Sequence, residues 1–229
     1  MRPDRNERMP LTGTTVLFDV DGTLTDSYVG FERSVRHAVE TLGLSMPDNV
    51  RAFVGPPLDE SFRSLGMSDA FVVEALQLYR ARYWEVGYLE NEVYPGIAEL
   101  LALLVADGAA LGVATSKPEQ TATRILEHFG LAEYFVFIGG ATFDGTRSHK
   151  HDVVAHTMAA MGQPDPKRTL MIGDRLHDVH GAGRLGIATI GVTWGYGGRE
   201  ELTTAGAAVV VDDTTALRHA IRTLAAVGD

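Results

Sequence analysis

Two short acidic runs could do chemistry in this chain of 229 residues. The first is Asp19-Val20-Asp21-Gly22-Thr23. Its two carboxylates can serve one site if the chain turns there, and Gly22 supplies the freedom to turn. Asp19 could attack phosphorus, as carboxylates do in enzymes that form aspartyl phosphates. Asp21 could protonate a leaving oxygen and later deprotonate water. The plainer alternative is an acidic turn before a helix, because Asp-Gly pairs are common turn formers.

The second run is Gly173-Asp174-Arg175-Leu176-His177-Asp178. Asp19 and Asp174 could together hold a hard dication such as Mg²⁺, which takes oxygen ligands and keeps several waters. Asp178 could ligate directly or support the ligands from behind, or it could simply cap the helix that follows.

Between these runs lies Ala114-Thr115-Ser116-Lys117-Pro118. Hydroxyls and backbone N–H groups near a helix start suit a phosphate oxygen, and a Ser/Thr cap before Pro118 is equally compatible with the pattern. Lys150, at the start of a later helix, could neutralise a bound phosphate and a nucleophilic carboxylate. A lone lysine is otherwise a solvated surface residue. His149, His151, His156, His177 and His180 lack the spacing of a zinc site, and no cysteine is present to complete one. There is no G-x-G-x-x-G unit after the first strand and no G-x-S-x-G elbow, so dinucleotide binding and serine-hydrolase chemistry have no support.

These residues need elements to position them. Residues 14–18 form an apolar, β-branched run that reads as a buried strand ending at the first acidic pair. From about residue 28 to 91, apolar residues recur at helical spacing, among them Phe31, Val35, Val39, Val72, Leu76, Tyr79 and Tyr83. Gly43, Pro47 and Gly55-Pro56-Pro57 punctuate that stretch. It reads as an all-helical insert. Strands are then expected at 110–114, 135–138, 169–172, 187–192 and 209–211. Helices are expected at 95–106, 118–129, 149–161 and 215–227. The alternation implies an α/β fold, a Rossmann-like parallel sheet core with helices on both faces. Ligands bind such sheets at the carboxyl ends of the strands, where the polar clusters fall. The core is expected from residues 1–27 and 92–229, and a helical cap domain from 28–91. The run Trp194-Gly195-Tyr196-Gly197-Gly198 follows a strand end and could edge the site, though core packing followed by a turn is the plainer reading.

Composition bounds the function. Hydrophobic residues at 45% and charged residues at 22% are ordinary for a soluble globular protein. The formal charge of −10 argues against a nucleic-acid partner, because a phosphate backbone needs a basic face. It leaves small phosphorylated substrates open, since a local cation offsets global repulsion. The polar start, residues 1–10, reads as disordered and carries no apolar signal segment. No run approaches the roughly 18 apolar residues of a membrane span. With no cysteine, these features lead to an expectation of a cytoplasmic protein, monomer or homodimer.

In order along the chain, DVDGTLTDS, ATSKP, Lys150 and GDRLHD resemble the four motifs of the haloacid dehalogenase superfamily of phosphohydrolases. The resemblance covers nearly the whole chain from about residue 14. Residues 28–91 resemble the small helical cap of that family. Gly55-Pro56-Pro57 and WGYGGREEL look most like phosphoglycolate phosphatase-like members. The resemblance implies a Mg²⁺-dependent phosphomonoester hydrolase working through an aspartyl phosphate on a small phosphorylated metabolite. It implies that Asp19 is the nucleophile and a metal ligand, and that Asp21 is the acid–base and offers its backbone carbonyl to the metal. It further implies that Thr115, with neighbouring Ser116, binds phosphate, that Lys150 is the motif lysine, and that Asp174, supported by Asp178, binds metal. Lys117 could share the role of Lys150. The alternatives are a sugar-phosphate mutase of the β-phosphoglucomutase kind, a nucleotidase, or phosphoryl transfer directed at a protein. A non-catalytic module is disfavoured by the intact set Asp19, Asp21, Lys150 and Asp174. Substrate choice falls to the cap, where Arg51, Arg63, Arg80 and Arg82 could reach a substrate anion or stay solvated.

Overall fold

The computed structural model describes residues 10–46, 49–54 and 56–227. The expected disordered start up to residue 9 and the punctuation at Pro47 and Gly55 lie outside the described residues.

Six strands form one sheet: β1 (Thr15–Phe18), β4 (Ala110–Pro118), β5 (Phe137–Ala141), β6 (Thr169–Gly173), β7 (Ala188–Val192) and β8 (Val209–Val211). Their order is β5-β4-β1-β6-β7-β8, and every pairing is parallel. β1 is therefore flanked on both sides and buried along its whole length. A continuous apolar run is what such a strand requires, because both of its faces are covered. Val16 and Phe18 join one core with Leu101, Leu104, Ile172, Ile190 and Ile221. Leu17 points to the opposite face and packs with Val153, Val154 and Met171. The helices covering these faces are α4 (Ile97–Ala106), α5 (Glu119–His128), α6 (Lys150–Ala160), α7 (Leu176–Gly183), α8 (Arg199–Ala205) and α9 (Thr214–Val227). The α/β sheet with its flanking helices is the architecture expected from the sequence.

Three helices intervene after β1: α1 (Tyr28–Thr41), α2 (Leu58–Ser64) and α3 (Asp69–Glu85). They share a hydrophobic cluster of their own, with Phe31, Val35, Phe62, Val72 and Tyr83 buried in it. The chain passes into this segment through β2 (Thr25–Asp26) and out through β3 (Glu92–Val93). These two short strands pair antiparallel.

Two local differences from the sequence expectation have physical causes. β5 begins at Phe137 rather than near 135 and runs through Gly139-Gly140 to Ala141. The glycines look like breakers, yet a Cβ at Gly139 would strike Thr157 and one at Gly140 would strike the backbone of Lys117 and Glu119. The strand needs them for close approach to its neighbours. The short helix α8 follows Gly198 directly and was hidden behind the glycine-rich run preceding it.

Candidate active site

The acidic turn starts where β1 ends. The Asp19 N–H still donates to Ile172 O at 2.9 Å, so this residue is held by the sheet. The chain then folds back: the N–H groups of Leu24 and Thr25 donate to Val20 O, and Gly22 N donates to Thr25 O at 2.8 Å. Gly22 has a φ of +81°, and a Cβ there would collide with the Asp174 carboxylate. Glycine is required on both counts. The outcome is that Asp19 and Asp21 both line one cleft.

β6, next to β1 in the sheet, delivers Asp174, and the first turn of α7 delivers Asp178. Each of Asp19, Asp174 and Asp178 offers a carboxylate oxygen, and these atoms lie within 4.8 Å of one another. Asp174 and Asp178 are fully buried and Asp19 is nearly so. This is the one such group of metal-ligating side chains among the described residues, and it contains no histidine. Asp178 does two things at once. Its Oδ2 accepts from Arg175 N at 3.1 Å, fixing the start of α7, and its Oδ1 lies 2.8 Å from Lys150 Nζ.

Lys150, at the first residue of α6, is buried. Besides Asp178, its ammonium contacts Asp19 Oδ2 at 2.9 Å and donates to Ala114 O at 3.2 Å. Burial by itself would depress this lysine, but the charges of Asp178 and Asp19 more than offset it, and its pKa lies above the ordinary value. On the carboxylates burial acts in the opposite direction. Burial, then the neighbouring carboxylates Asp178 and Asp19, push Asp174 well up. Asp178 is pushed up to about 6, mainly by burial and against the pull of Lys150. Once all three carboxylates are ionised, one ammonium leaves two negative charges uncompensated in a buried place. A hard dication with oxygen ligands matches that donor set and that charge.

The hydroxyl motif lies within the last residues of β4, which runs on to Pro118 rather than ending near 114. Thr115 is buried, and its Oγ1 accepts from Lys117 N at 3.2 Å. Thr115, Ser116 and Lys117 all line the same cleft as Asp19 and Asp21. The two lysines do not share a carboxylate. Lys117 Nζ lies 2.9 Å from Asp21 Oδ2 and donates to the Tyr83 hydroxyl at 2.9 Å.

Four further residues build this place and carry no catalytic signature in the sequence. Tyr196 N donates to Asp174 Oδ2 at 2.7 Å. The Tyr196 hydroxyl donates to Asp26 Oδ1 at 2.9 Å and accepts from Ser27 N at 2.8 Å. Trp194 Nε1 donates to Thr23 O at 3.1 Å. The Trp194–Gly198 run therefore backs the acidic turn as well as packing, and a Cβ at Gly195 would overlap Gly22 O and Asp174. Tyr83 and Asn91 complete the set from the helical segment, with the Tyr83 hydroxyl 3.4 Å from Asn91 Oδ1. The available signal was the pair of glycines around Tyr196, which mark a close backbone approach.

The cleft has a volume of about 740 Å³. Its far wall comes from α2 and α3 and is mainly apolar. Of the four arginines considered, Arg63 and Arg80 line it. Arg63 is paired with Asp59 and Asp69, and Arg80 lies over the Phe143 ring at 5.5 Å. Arg82 is bound to Glu90, and Arg51 sits over the rings of Tyr28 and Tyr196. No helix among the described residues is long and apolar enough to cross a membrane.

Known proteins share this arrangement. The sequence profile of the family described as haloacid dehalogenase-like hydrolase matches residues 16–192. The tyrosine-protein kinase PtkA of Mycobacterium tuberculosis is 48% identical over 184 residues, which are 80% of this chain and 62% of that protein. The chain thus spans less than two thirds of that relative's length. A 5'-nucleotidase from Pseudomonas aeruginosa is 43% identical over 209 residues, covering 90% of this chain and 94% of the nucleotidase. A crystal structure of a predicted phosphatase from Clostridium acetobutylicum superposes with a TM-score of 0.87 at 41% identity, over 91% of this chain and 97% of the other. The four motifs, the sheet that gathers them and these matches place the chain in the haloacid dehalogenase-like hydrolase family.

Proposed function

We propose that the protein is a phosphomonoester hydrolase that uses Asp19 as its nucleophile, on a core of residues 1–27 and 92–229 capped by the helical residues 28–91. One observation carries the reading. Asp19 and Asp21 face the same cleft from a single turn, with the Lys150 ammonium on Asp19 and the buried Asp174 and Asp178 beside it. In the first step an Asp19 oxygen bonds to phosphorus as the ester P–O bond breaks, and Asp21 gives its proton to the leaving oxygen. In the second, water gives a proton to Asp21 while its oxygen bonds to phosphorus, and the Asp19–phosphorus bond breaks to release inorganic phosphate. Thr115 and Ser116 hold the phosphoryl oxygens, and Lys150 offsets their charge and orients Asp19. Asp19 and Asp174, with Asp178 and the Asp21 carbonyl, would hold Mg²⁺, which when bound supplies positive charge to the phosphoryl group.

The cleft bears on the substrate. Its volume of about 740 Å³ and its apolar wall exceed what a two-carbon phosphoester fills, and suit a leaving group of nucleoside size. The name of the 43% identical Pseudomonas relative points the same way. We therefore read the substrate as a small phosphorylated metabolite with a bulky leaving group, nucleoside 5'-monophosphates first among those to test, turned over by a cytoplasmic enzyme. A second reading, phosphoryl transfer directed at a protein, takes its support from the 48% identity to the relative named a tyrosine kinase.

The test is phosphate release from a panel of nucleotides, sugar phosphates, 2-phosphoglycolate and phosphotyrosine peptide, with Mg²⁺ and with EDTA. Efficient release from one substrate, abolished by EDTA and by Asp19→Asn in a folded variant, is the expected result. Near-normal turnover by Asp19→Asn would sink the assignment, and an isomerised sugar phosphate without free phosphate would make the protein a mutase.

A further inference from the structure

The two carboxyl oxygens of Asp21 have different surroundings. Oδ2 is held by Lys117 Nζ at 2.9 Å. Oδ1 is buried and has no hydrogen-bond partner among the described residues. Lys117 in turn is only 8% exposed. Its ammonium donates to the Tyr83 hydroxyl at 2.9 Å and lies 4.5 Å from the centre of the Tyr83 ring. Tyr83 is buried, stacks on Tyr79 with ring centres 5.5 Å apart, and approaches Asn91 Oδ1 through its hydroxyl at 3.4 Å. A line of polar contacts thus runs from Asn91 through Tyr83 and Lys117 to Asp21. It begins in the helical segment and ends in the acidic turn.

Burying an ammonium is expensive, and an apolar side chain of similar length would fill the same space at lower cost. Packing therefore does not account for Lys117. An ammonium fixed on both sides, with one of its partners a carboxylate facing the cleft, does what a positioning group must do. It fixes a rotamer of Asp21 at the cleft.

We propose that Lys117, held by Tyr83 of α3, is a positioning residue for Asp21: it anchors Oδ2 and so fixes the carboxyl group that exchanges protons with the leaving group and with water. The inference rests on the reading of Asp21 as the acid–base. In the first step the carboxyl proton of Asp21 passes to the leaving oxygen as the P–O bond breaks and the Asp19–phosphorus bond forms, while Lys117 holds the carboxyl in place. In the second, the Asp21 carboxylate takes a proton from the water that displaces Asp19 from phosphorus. Because the anchor is held from α3, proton transfer to the leaving group depends on that helix lying over the cleft, whereas attack by Asp19 does not.

Two substrates of nearly equal size separate the steps. The aryl oxygen of 4-nitrophenyl phosphate departs without a proton, and the alkyl oxygen of 4-nitrobenzyl phosphate needs one. Leaving-group release is measured in single turnover for wild type, Lys117→Met, Tyr83→Phe and Asp21→Asn. Tyr83→Phe keeps the ring packing and removes only the hydroxyl, so it reports even if Lys117→Met folds poorly. The expected result is a loss of about 10- to 100-fold on the benzyl ester for Lys117→Met and Tyr83→Phe, with a loss at least about tenfold smaller on the aryl ester. Equal losses on both esters, with Asp21→Asn still discriminating between them, would overturn the positioning role and leave Asp21 as the acid. An Asp21→Asn variant that does not discriminate would remove the acid–base reading, and this proposal with it.

Discussion

Lys150 and Lys117 are both buried, both paired with an aspartate of the first acidic turn, and held by different parts of the molecule. Lys150 is gripped by the sheet and its helices alone, through Asp19, Asp178 and Ala114 O. Lys117 is gripped on one side by Asp21 and on the other by Tyr83 of α3. The cation on Asp19 therefore belongs wholly to the sheet region. The second aspartate's cation belongs half to the helices that form the far wall of the cleft. If Asp19 and Asp21 act as proposed, attack and departure of the phosphoryl group answer to different structural units while sharing one turn of chain.

The largest effect expected from breaking this comparison is at Lys150. Lys150→Met leaves three carboxylates crowded together without their one direct cationic contact. Removing one partner of a buried pair costs about 3–5 kcal/mol. Turnover should fall by about 10²–10³-fold, and to the same degree on aryl and alkyl esters, because charge on the phosphoryl group is common to both. Chemical denaturation and parallel kinetics on the two esters check this. A Lys150→Met loss confined to alkyl esters would mean that the two lysines act alike, and the division between them would disappear.

Next in size is the response of the metal-free protein to pH. Burial first, and neighbouring carboxylates after it, raise Asp174 well above the ordinary carboxylate range, and Asp178 is pushed up to about 6. A raised folded pKa means the native state holds protons that the unfolded chain has already lost. The associated stability is complete below the unfolded value of about 4 and is lost as pH rises to about 6 and beyond. Melting curves in EDTA should therefore show wild type losing ground to Asp178→Asn between pH 4 and pH 7, by an amount on the order of 2 kcal/mol. Added Mg²⁺ should raise the wild-type melting temperature more at pH 7 than at pH 4.5, since it binds the ionised native site. A difference between the two proteins that stays flat across this range would contradict the strained, cation-seeking character of the aspartate group.

The same contrast governs what could be read from the sequence. Asp19, Asp21, Asp174 and Asp178 were legible because each motif is local and directly follows an apolar run. A parallel sheet brings such strand ends to one edge without further information. Helices within the segment expected at 28–91 were legible from periodicity for a similar reason, as α1, α2 and α3 show. Tyr83 was not, since its ring lies in the apolar stripe of α3 and counts as core, which it is. Only its hydroxyl departs from that role, and its partner Lys117 is 34 residues away. The run around Tyr196 could be placed at the edge of the site, but the contact it makes there was hidden for a different reason. Its contact with Asp174 is made by a backbone N–H, which every residue except proline has. Arg51 and Arg82 were candidates for substrate binding on charge alone, yet each is engaged within the protein, by rings or by Glu90. Charge in a sequence announces itself, but its partner does not.

The smallest expected effect lies in the helical segment, and it has the opposite sign. Glu90 takes Arg82 at 2.9 Å and Arg33 at 2.7 Å. The hydrogen bonds from Arg82 foremost, with those from Arg33, hold its carboxyl below the ordinary value. A depressed folded pKa contributes stability that is present above the unfolded value and is lost as pH falls through the folded one. Glu90→Gln should thus cost no more than about 1 kcal/mol at pH 7, partly screened by solvent, and the gap to wild type should close as pH drops below about 4. Raising the salt concentration should narrow it at pH 7 as well. The sheet-edge aspartates lose stability on the way up in pH and this glutamate loses it on the way down. Were Glu90→Gln to lose ground on the way up, the helical ion pairs would be behaving like the buried group, and solvent-exposed pairing would no longer describe them.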